Sequence, residues 1–336
     1  MKVAENMLNI NHLETIAAVV VTYNRKKLLT ECLDALLSGT RLLDKIILID
    51  NGSTDNTHVL LKEKGYIENS RIQYIRLLEN TGGAGGFYEG VKRAYEGGYD
   101  WLWLMDDDAE PQQDALEKLS EYLSETNVSA LANLKVDHKG EIIYTHLGFF
   151  NAKDKFDFEA EIFREVEHKA IKESKVLEIA YSSFVGILIN KKAIEKIGFP
   201  KKELFIHGDD VEYCLRLISV GKMLLITNSV IFHKFVPDRK IISIKLLGKT
   251  IERTAYDKLW LKYYGTRNVI WLRKFYLSQL TFYMRLFNNY FRSLIAILLL
   301  DDNKLKRILF ITEAYRDGLK GKFDNIKPKG ILYGKS

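Results

Sequence analysis

The chain has 336 residues, 47% hydrophobic and 28% charged, with two cysteines and a net charge of +6. That length buries a sizeable core in one large or two smaller domains, and two cysteines, Cys32 and Cys214, exclude a disulfide framework and fit a reducing compartment. The charge is uneven: residues 241–336 hold 19 Lys+Arg against 7 Asp+Glu, a net +12, so the first 240 residues are net −6.

The N-terminus, Met1 to Glu14, lacks a basic stretch followed by an apolar one, so no signal peptide is expected. Ile16 to Thr22 is a valine-rich apolar run that reads as a buried strand. Arg25 to Leu37 follows with helical spacing of Leu28, Leu29, Cys32, Leu33 and Leu36. Lys45 to Asp50 is a second strand, and the Ser53 to Thr57 cluster offers caps for a short helix through about Lys64. Ile72 to Leu77 is a third strand. A glycine-rich turn then leads into a helix over Phe87 to Glu96, and Trp101 to Met105 is a fourth strand. Pro111 is expected to open a helix through about Leu123. Strands alternating with helices predict an α/β fold, a mostly parallel sheet covered on both faces.

The second half is less regular. Val128 to Val136 and Met223 to Phe232 read as strands, and Tyr181 to Asn190 is apolar and strand-like. Lys191 to Ile197 is a short helix stopped by Gly198 and Pro200, and Val211 to Ile218 has helical spacing before Gly221. Asn151 to Lys175 is charged and reads as a surface excursion. After about Ile241 the strand signal fades, and Leu259 to Phe275, Gln279 to Leu300 and Lys304 to Leu319 look helical. The uncharged run Ser293 to Leu300 is far short of the roughly 20 residues a spanning helix needs. Apolar faces, interspersed arginines and a basic balance point to helices lying on an anionic membrane surface. A helical cap on the preceding domain or a dimer interface is the alternative.

The candidate chemistry sits at strand ends. Open parallel sheets bind ligands beyond the carboxyl ends of their strands. Four clusters fall there: Thr22-Tyr23-Asn24-Arg25, Asp50-Asn51-Gly52-Ser53, Asn80-Thr81-Gly82-Gly83-Ala84-Gly85-Gly86-Phe87, and Asp106-Asp107-Asp108. Three aspartates after a buried strand repel one another unless a divalent cation joins them, and hard cations such as Mg²⁺ or Mn²⁺ favour carboxylate oxygen. A solvated acidic turn or a helix cap is the plainer reading of the triplet alone. The glycine run is no P-loop, since no Gly-Lys-Ser/Thr follows. Glycines let backbone approach a ligand closely, and the helix start beyond them favours anionic groups. Later, Gly208-Asp209-Asp210-Val211-Glu212 places two adjacent aspartates at a helix start, more than one cap needs. His233 closes the strand from Met223 and is a candidate ligand if a carboxylate–cation site lies nearby.

Taken together these elements resemble the family 2 inverting glycosyltransferases, which have the nucleotide-sugar-binding GT-A fold. The likeness covers roughly residues 16 to 235, in the family's order: Val19 to Arg25, Ile49 to Asp55, Met105 to Asp108, and Gly208 to Glu212. The glycine run looks most like the galactofuranosyltransferase group, and Tyr263-Tyr264-Gly265-Thr266-Arg267-Asn268 resembles a segment of bacterial polysaccharide transferases. His207-Gly208 departs from the aromatic residues common before the aspartates in that group.

The resemblance implies roles. Thr22, Tyr23, Asn24, Arg25, Asp50 and Asn80 would hold the nucleotide, with Asp50 toward the base. Gly82 and Gly83 would lie near the sugar diphosphate. Asp106, Asp108 and His233 would hold Mn²⁺ or Mg²⁺, with Asp106 and Asp107 also toward the donor. Asp210, or failing it Asp209, would act as general base. The implied enzyme moves a hexose, galactofuranose from UDP-galactofuranose first and rhamnose from dTDP-rhamnose as the alternative, to a lipid-linked oligosaccharide. It would work in the cytoplasm on the inner face of the cell membrane, without nucleic acid. The implied layout is a catalytic domain over residues 1–240 and a basic helical region over 241–336, open to homo-oligomer formation. A nucleotidyltransferase and a nucleic-acid-binding protein are the rival classes; the first lacks its basic glycine loop, and the interleaved Leu, Ile and Phe of the tail favour lipid over nucleic acid.

Overall fold

The computed structural model describes residues 14–150, 163–164, 166–234, 241–246, 249–276 and 279–334. Most of the charged stretch beginning at Asn151, and residues 1–13, lie outside the described residues.

The first half alternates strand and helix: β1 (Ile16–Thr22), α1 (Lys26–Leu37), β2 (Lys45–Asp50), α2 (Thr57–Glu63), β3 (Ile72–Arg76), α3 (Gly82–Glu96) and β4 (Trp101–Asp106). The short β5 (Ala109–Pro111) precedes α4 (Ala115–Ser120) and β6 (Val128–Val136). Then come β7 (Leu147–Phe150), β8 (Phe163–Arg164), α5 (His168–Glu173), β9 (Val176–Ile179), β10 (Tyr181–Ser182), β11 (Ile187–Asn190), α6 (Lys191–Ile197), α7 (Asp209–Val220) and β12 (Lys222–His233). A hairpin, β13 (Ile241–Leu246) and β14 (Lys249–Thr254), leads to α8 (Trp260–Tyr276), α9 (Gln279–Leu300), α10 (Lys304–Lys320) and α11 (Lys327–Tyr333).

The main sheet runs β3-β2-β1-β4-β11-β6-β12-β5, with β9 also on β12. Its first four strands are parallel, while β11 is antiparallel to both neighbours. Alternation along β1 divides the core. Ala17, Val19 and Val21 face Phe87 and Val91 of α3, whereas Ile16, Ala18 and Val20 face Leu29, Cys32 and Leu33 of α1. A strand buried on both faces has no polar period to show, which is why these runs read as continuously apolar.

Four local expectations change. Pro111 does not open a helix: it ends β5, which pairs with β12 on the sheet edge, where a missing N–H costs no ladder bond, and α4 begins only at Ala115. The Tyr181 to Asn190 run splits into β10 and β11, because Gly186 turns the chain at φ +74 against Ile231 and Asn133. The helix after the third strand starts at Gly82 rather than Phe87, because Gly86 and Gly90 let it lie directly on Val21 and Val19, where a Cβ would collide at 2.4 and 2.3 Å. The region after Ile241 opens with a hairpin in which Ile244 pairs with Ile251, before the three helices near their expected bounds.

Candidate active site

Parallel pairing puts the strand ends level. Thr22 pairs with Asp50, Val21 with Asp106, and Asp50 with Arg76, so the clusters after β1, β2 and β4 form one edge. The later strand β12 joins this edge through β5: His233 pairs with Ala109, the residue after Asp108. That register brings a histidine 125 positions away in the chain to the triplet.

The three aspartates differ. Asp107 and Asp108 are buried, Asp106 half-buried. Thr22 donates its hydroxyl to Asp107 at 2.6 Å, and Arg25 Nη1 donates to Asp108 at 2.7 Å and Asp107 at 3.3 Å. Burial pushes the Asp107 carboxyl up to about 6 against the pull of Arg25 and Thr22. Burial and repulsion from Asp108 and Asp107 push Asp106 well above the carboxylate range. Burial opposes ionisation of Asp108 too, but His233 and Arg25 hold it below its ordinary value.

A ligand atom from each of Asp106, Asp108 and His233 lies within 4.8 Å of the others. Asp108 Oδ1 is buried, 3.2 Å from His233 Nε2, yet accepts no hydrogen bond of good geometry. Two carboxylates and an imidazole converging around an unsatisfied oxygen fit a divalent cation such as Mn²⁺ or Mg²⁺.

The second acidic pair starts α7. Asp209 is buried, and burial together with Asp210 pushes it up to about 8. Asp210 is half-buried; its Oδ1 accepts the Val211 N–H at 2.8 Å and its Oδ2 accepts the Tyr181 hydroxyl at 2.7 Å. Burial pushes its carboxyl up from the ordinary carboxylate value, and the Tyr181 bond works against that rise. Beneath lies a buried layer: Lys135 contacts the Ser182 hydroxyl, and Cys214 Sγ donates to the Ser182 carbonyl at 3.2 Å. Burial lowers Lys135 to about 7. His146, whose ring centre is 5.1 Å from that of His233, is pushed by burial down to about 3 and is neutral at pH 7.

The remaining expected residues form the loops rather than the acidic centre. Tyr23 is exposed. Asn24 sits at φ 55, donates its N–H to Ser53 and accepts from the Thr54 N–H at 2.7 Å, tying the first loop to the second. Asp50 is fully buried, accepting from Ser53 N–H at 2.8 Å and from the Tyr74 hydroxyl at 2.7 Å. Asn80 accepts from Gly82 N–H at 2.8 Å. Gly82, at φ +76, is pressed on the Phe205 carbonyl, where a Cβ would sit 2.0 Å away, whereas the Cβ position of Gly83 has no neighbour within 4 Å.

Sequence reasoning gave no role to Asn51, Tyr74, Tyr181, Lys135 or His146. Asn51 is buried and holds Thr81, Gly82 and Asn80, fixing the glycine turn. It stands inside a quoted cluster, so its signal was present. Tyr181 and Lys135 are single polar residues in apolar strands, which carry no pattern.

Residues 17–198 match Glycosyl transferase family 2. The chain is 30% identical over 215 residues to Galactofuranosyltransferase GlfT1 of Mycolicibacterium smegmatis, covering 62% of this chain and 67% of that one. It is 26% identical over 266 residues to the dTDP-rhamnosyl transferase RfbF of Shigella flexneri, covering 76% and 79%. Among solved structures, GalNAc-T7 with UDP, GalNAc and Mn²⁺ superposes with a TM-score of 0.55 at 14% identity, over 92% of this chain and 56% of that one. The crystallised residues 1–349 of Staphylococcus aureus TarS give 0.53 at 12% identity, over 95% and 86%. At such identities these two report on the fold alone, a GT-A fold.

Proposed function

Because the chain belongs to Glycosyl transferase family 2, we propose that it is an inverting, metal-dependent hexosyltransferase that moves galactofuranose from UDP-galactofuranose to a lipid-linked glycan. Membership in a glycosyltransferase family sets aside the nucleotidyltransferase and nucleic-acid-binding readings. The observation that carries the proposal is the approach of Asp106, Asp108 and His233 on the same edge as the Asp209–Asp210 pair.

In this reading Asp106, Asp108 and His233 hold Mn²⁺ or Mg²⁺, which when bound offsets diphosphate charge and stabilises the leaving group. The loops around Thr22, Arg25, Asp50 and Asn80 hold the nucleotide, and the open surface at Gly83 faces the sugar diphosphate. Asp210 takes the proton of an acceptor hydroxyl as its oxygen bonds to the anomeric carbon. The bond to the diphosphate oxygen breaks on the opposite side, so the configuration inverts. The Tyr181 hydroxyl orients Asp210 and stabilises its anion, while burial and the neighbouring Asp210 disfavour the charge of Asp209. Asp209 is the second candidate base.

The galactofuranosyl donor rests on the 30% identity to GlfT1; the longer match to RfbF supports dTDP-rhamnose as the second reading. Incubating the purified chain with each donor and Mn²⁺, and measuring UDP or dTDP release, separates them. Release of dTDP without UDP would overturn the galactofuranose reading.

The C-terminal helices support a lipid-linked acceptor. No helix among the described residues is long and apolar enough to cross a membrane. Yet α9 exposes Leu280, Tyr283, Met284, Phe287, Phe291 and Ile295, spaced by three and four residues along one face, while Phe282, Leu286 and Ile297 bury the opposite one. No acidic residue interrupts residues 279–300, and Arg285 and Arg292 border the exposed face. Such a helix suits an anionic bilayer surface, its rings in the interface and the exposed Arg292 at the headgroups. We propose accordingly that residues 241–336 form a membrane-facing region on a catalytic domain of residues 1–240, at the cytoplasmic face of the membrane. Co-sedimentation with vesicles containing anionic lipid checks this; a dimer with no vesicle binding would assign the face to a second copy instead.

A further inference from the structure

The loop before α7 has an unusual backbone. Phe205, His207 and Gly208 all sit at positive φ, +66, +67 and +82. For Phe and His such conformations cost on the order of 1–3 kcal/mol each and persist only where the surroundings impose them. What imposes them is helix α8 of the C-terminal region. Asn268 Nδ2 donates to the carbonyls of Leu204 at 2.9 Å, Ile206 at 3.2 Å and His207 at 2.8 Å. Arg267 Nη2 donates to the Leu204 carbonyl at 3.0 Å, and its Nε donates to Asn268 Oδ1 at 2.9 Å, which turns the amide N–H groups toward the loop. Both side chains are fully buried. The Phe205 ring stacks on Tyr264 at 4.6 Å.

The same loop touches both halves of the site. Its Phe205 carbonyl accepts the Ala84 N–H at 3.0 Å and lies against Gly82 on the donor side, and Gly208 leads directly into Asp209 and Asp210. A shift of the loop therefore moves the carboxylates relative to the glycine turn.

We propose that Asn268, oriented by Arg267, is a positioning residue for glycosyl transfer: from the C-terminal helices it holds the Leu204–Gly208 loop in the strained form that aims Asp209 and Asp210 at the donor edge. This rests on the transferase reading and adds to it that α8 is part of the catalytic apparatus rather than only an attachment to a surface.

The test is made on the full chain. Asn268→Asp keeps the shape of the side chain but turns an acceptor toward three carbonyls; Asn268→Ser keeps one donor at shorter reach. Tyr263→Phe is the control, since it removes the 2.6 Å bond from Tyr263 to Asp317 within the same helical layer and leaves the loop alone. For Asn268→Asp we expect kcat to fall by about 100-fold, the scale of a misplaced catalytic group, with UDP affinity unchanged. Asn268→Ser falls less, and Tyr263→Phe keeps wild-type kcat. Hydrogen exchange at residues 204–212 rises by about tenfold in both Asn268 variants and not in the control. The exchange arm reads the loop even if no donor is turned over, so failure of the transferase reading stays separate. Unchanged exchange and kcat in both Asn268 variants would overturn the proposal. So would an equal loss in Tyr263→Phe, or failure of both Asn268 variants to fold, since either result makes the amide merely structural.

Discussion

At the sheet edge Asp106, Asp107, Asp108, Asp209 and Asp210 crowd together, with Arg25 paired directly to two of them. In the C-terminal region, by contrast, basic side chains stand beside acidic ones. Arg253 and Arg307 meet on Asp301, and Lys327 pairs with Glu313 at 2.7 Å and Asp317 at 2.8 Å. Arg267, though a formal cation of the tail, is fully buried and braces a loop. The lesson is that net charge over a segment does not locate a binding surface; the partners of each charge do. At the edge the aspartates outnumber the one arginine paired with them. The +12 of residues 241–336 is partly used inside the fold, and α9 is where an exposed apolar face and bordering arginines coincide.

This contrast can be broken by substitution, and the edge should respond most. Asp210→Asn should lower kcat by about 10²–10⁴-fold, the usual contribution of a general base, while UDP still binds; unchanged turnover removes Asp210 from the role. Asp108→Ala should weaken Mn²⁺ dependence by roughly 100-fold, comparable to the loss of a supporting metal contact elsewhere. Titrating Mn²⁺ into the activity assay, and into a direct binding measurement, checks it, and full activity in chelator would contradict the metal site. In the compensated region the same kind of change should strike stability instead. Asp317→Ala strips the buried partner of Tyr263 and Lys327, and should cost roughly 2–4 kcal/mol by denaturant unfolding. Turnover below the transition should be unaffected; a selective loss of kcat would blur the distinction between the regions. Phe287→Glu with Phe291→Glu should lower binding to anionic vesicles by about tenfold or more and leave the unfolding temperature unchanged.

The smallest effect concerns pH. Burial pushes the pKa of Asp210 up, and the Tyr181 hydroxyl opposes that rise by stabilising the anion. Asp209 and Lys135 are the titratable groups nearest in effect. Tyr181→Phe removes the stabilisation, so Asp210 holds its proton to higher pH and the acid limb of the kcat/KM profile should move upward. A limb that stays put, or moves down, would mean that the tyrosine serves another group.

Much of this contrast is legible in the sequence. The strand-end clusters from Thr22 to Asp108 were legible because a doubly buried parallel strand is continuously apolar and its first polar residues mark the edge. The helix starting at Asp209 showed its acidic first turn directly. Other features were hidden for physical reasons. Pro111 carries the same signal at a helix start and at a sheet edge, and only its pairing with Ile231 decides. Gly86 reads as part of a ligand-binding turn, whereas its contact with Val21, like that of Gly90 with Val19, sets the distance between helix and sheet. Tyr181 and Lys135 are isolated in apolar runs, and the hold of Asn268 on Leu204 and His207 spans more than 60 positions, beyond any local pattern.

The most direct test of transfer at the acidic edge is the product's configuration. The full chain is incubated with UDP-galactofuranose, Mn²⁺ and a lipid-linked glycan, and the anomeric centre of the product is read by NMR beside an Asp210→Asn reaction. UDP release and a linkage of configuration opposite to the donor's are expected, both lost in the variant. A product with retained configuration, or equal release by Asp210→Asn, would contradict that expectation.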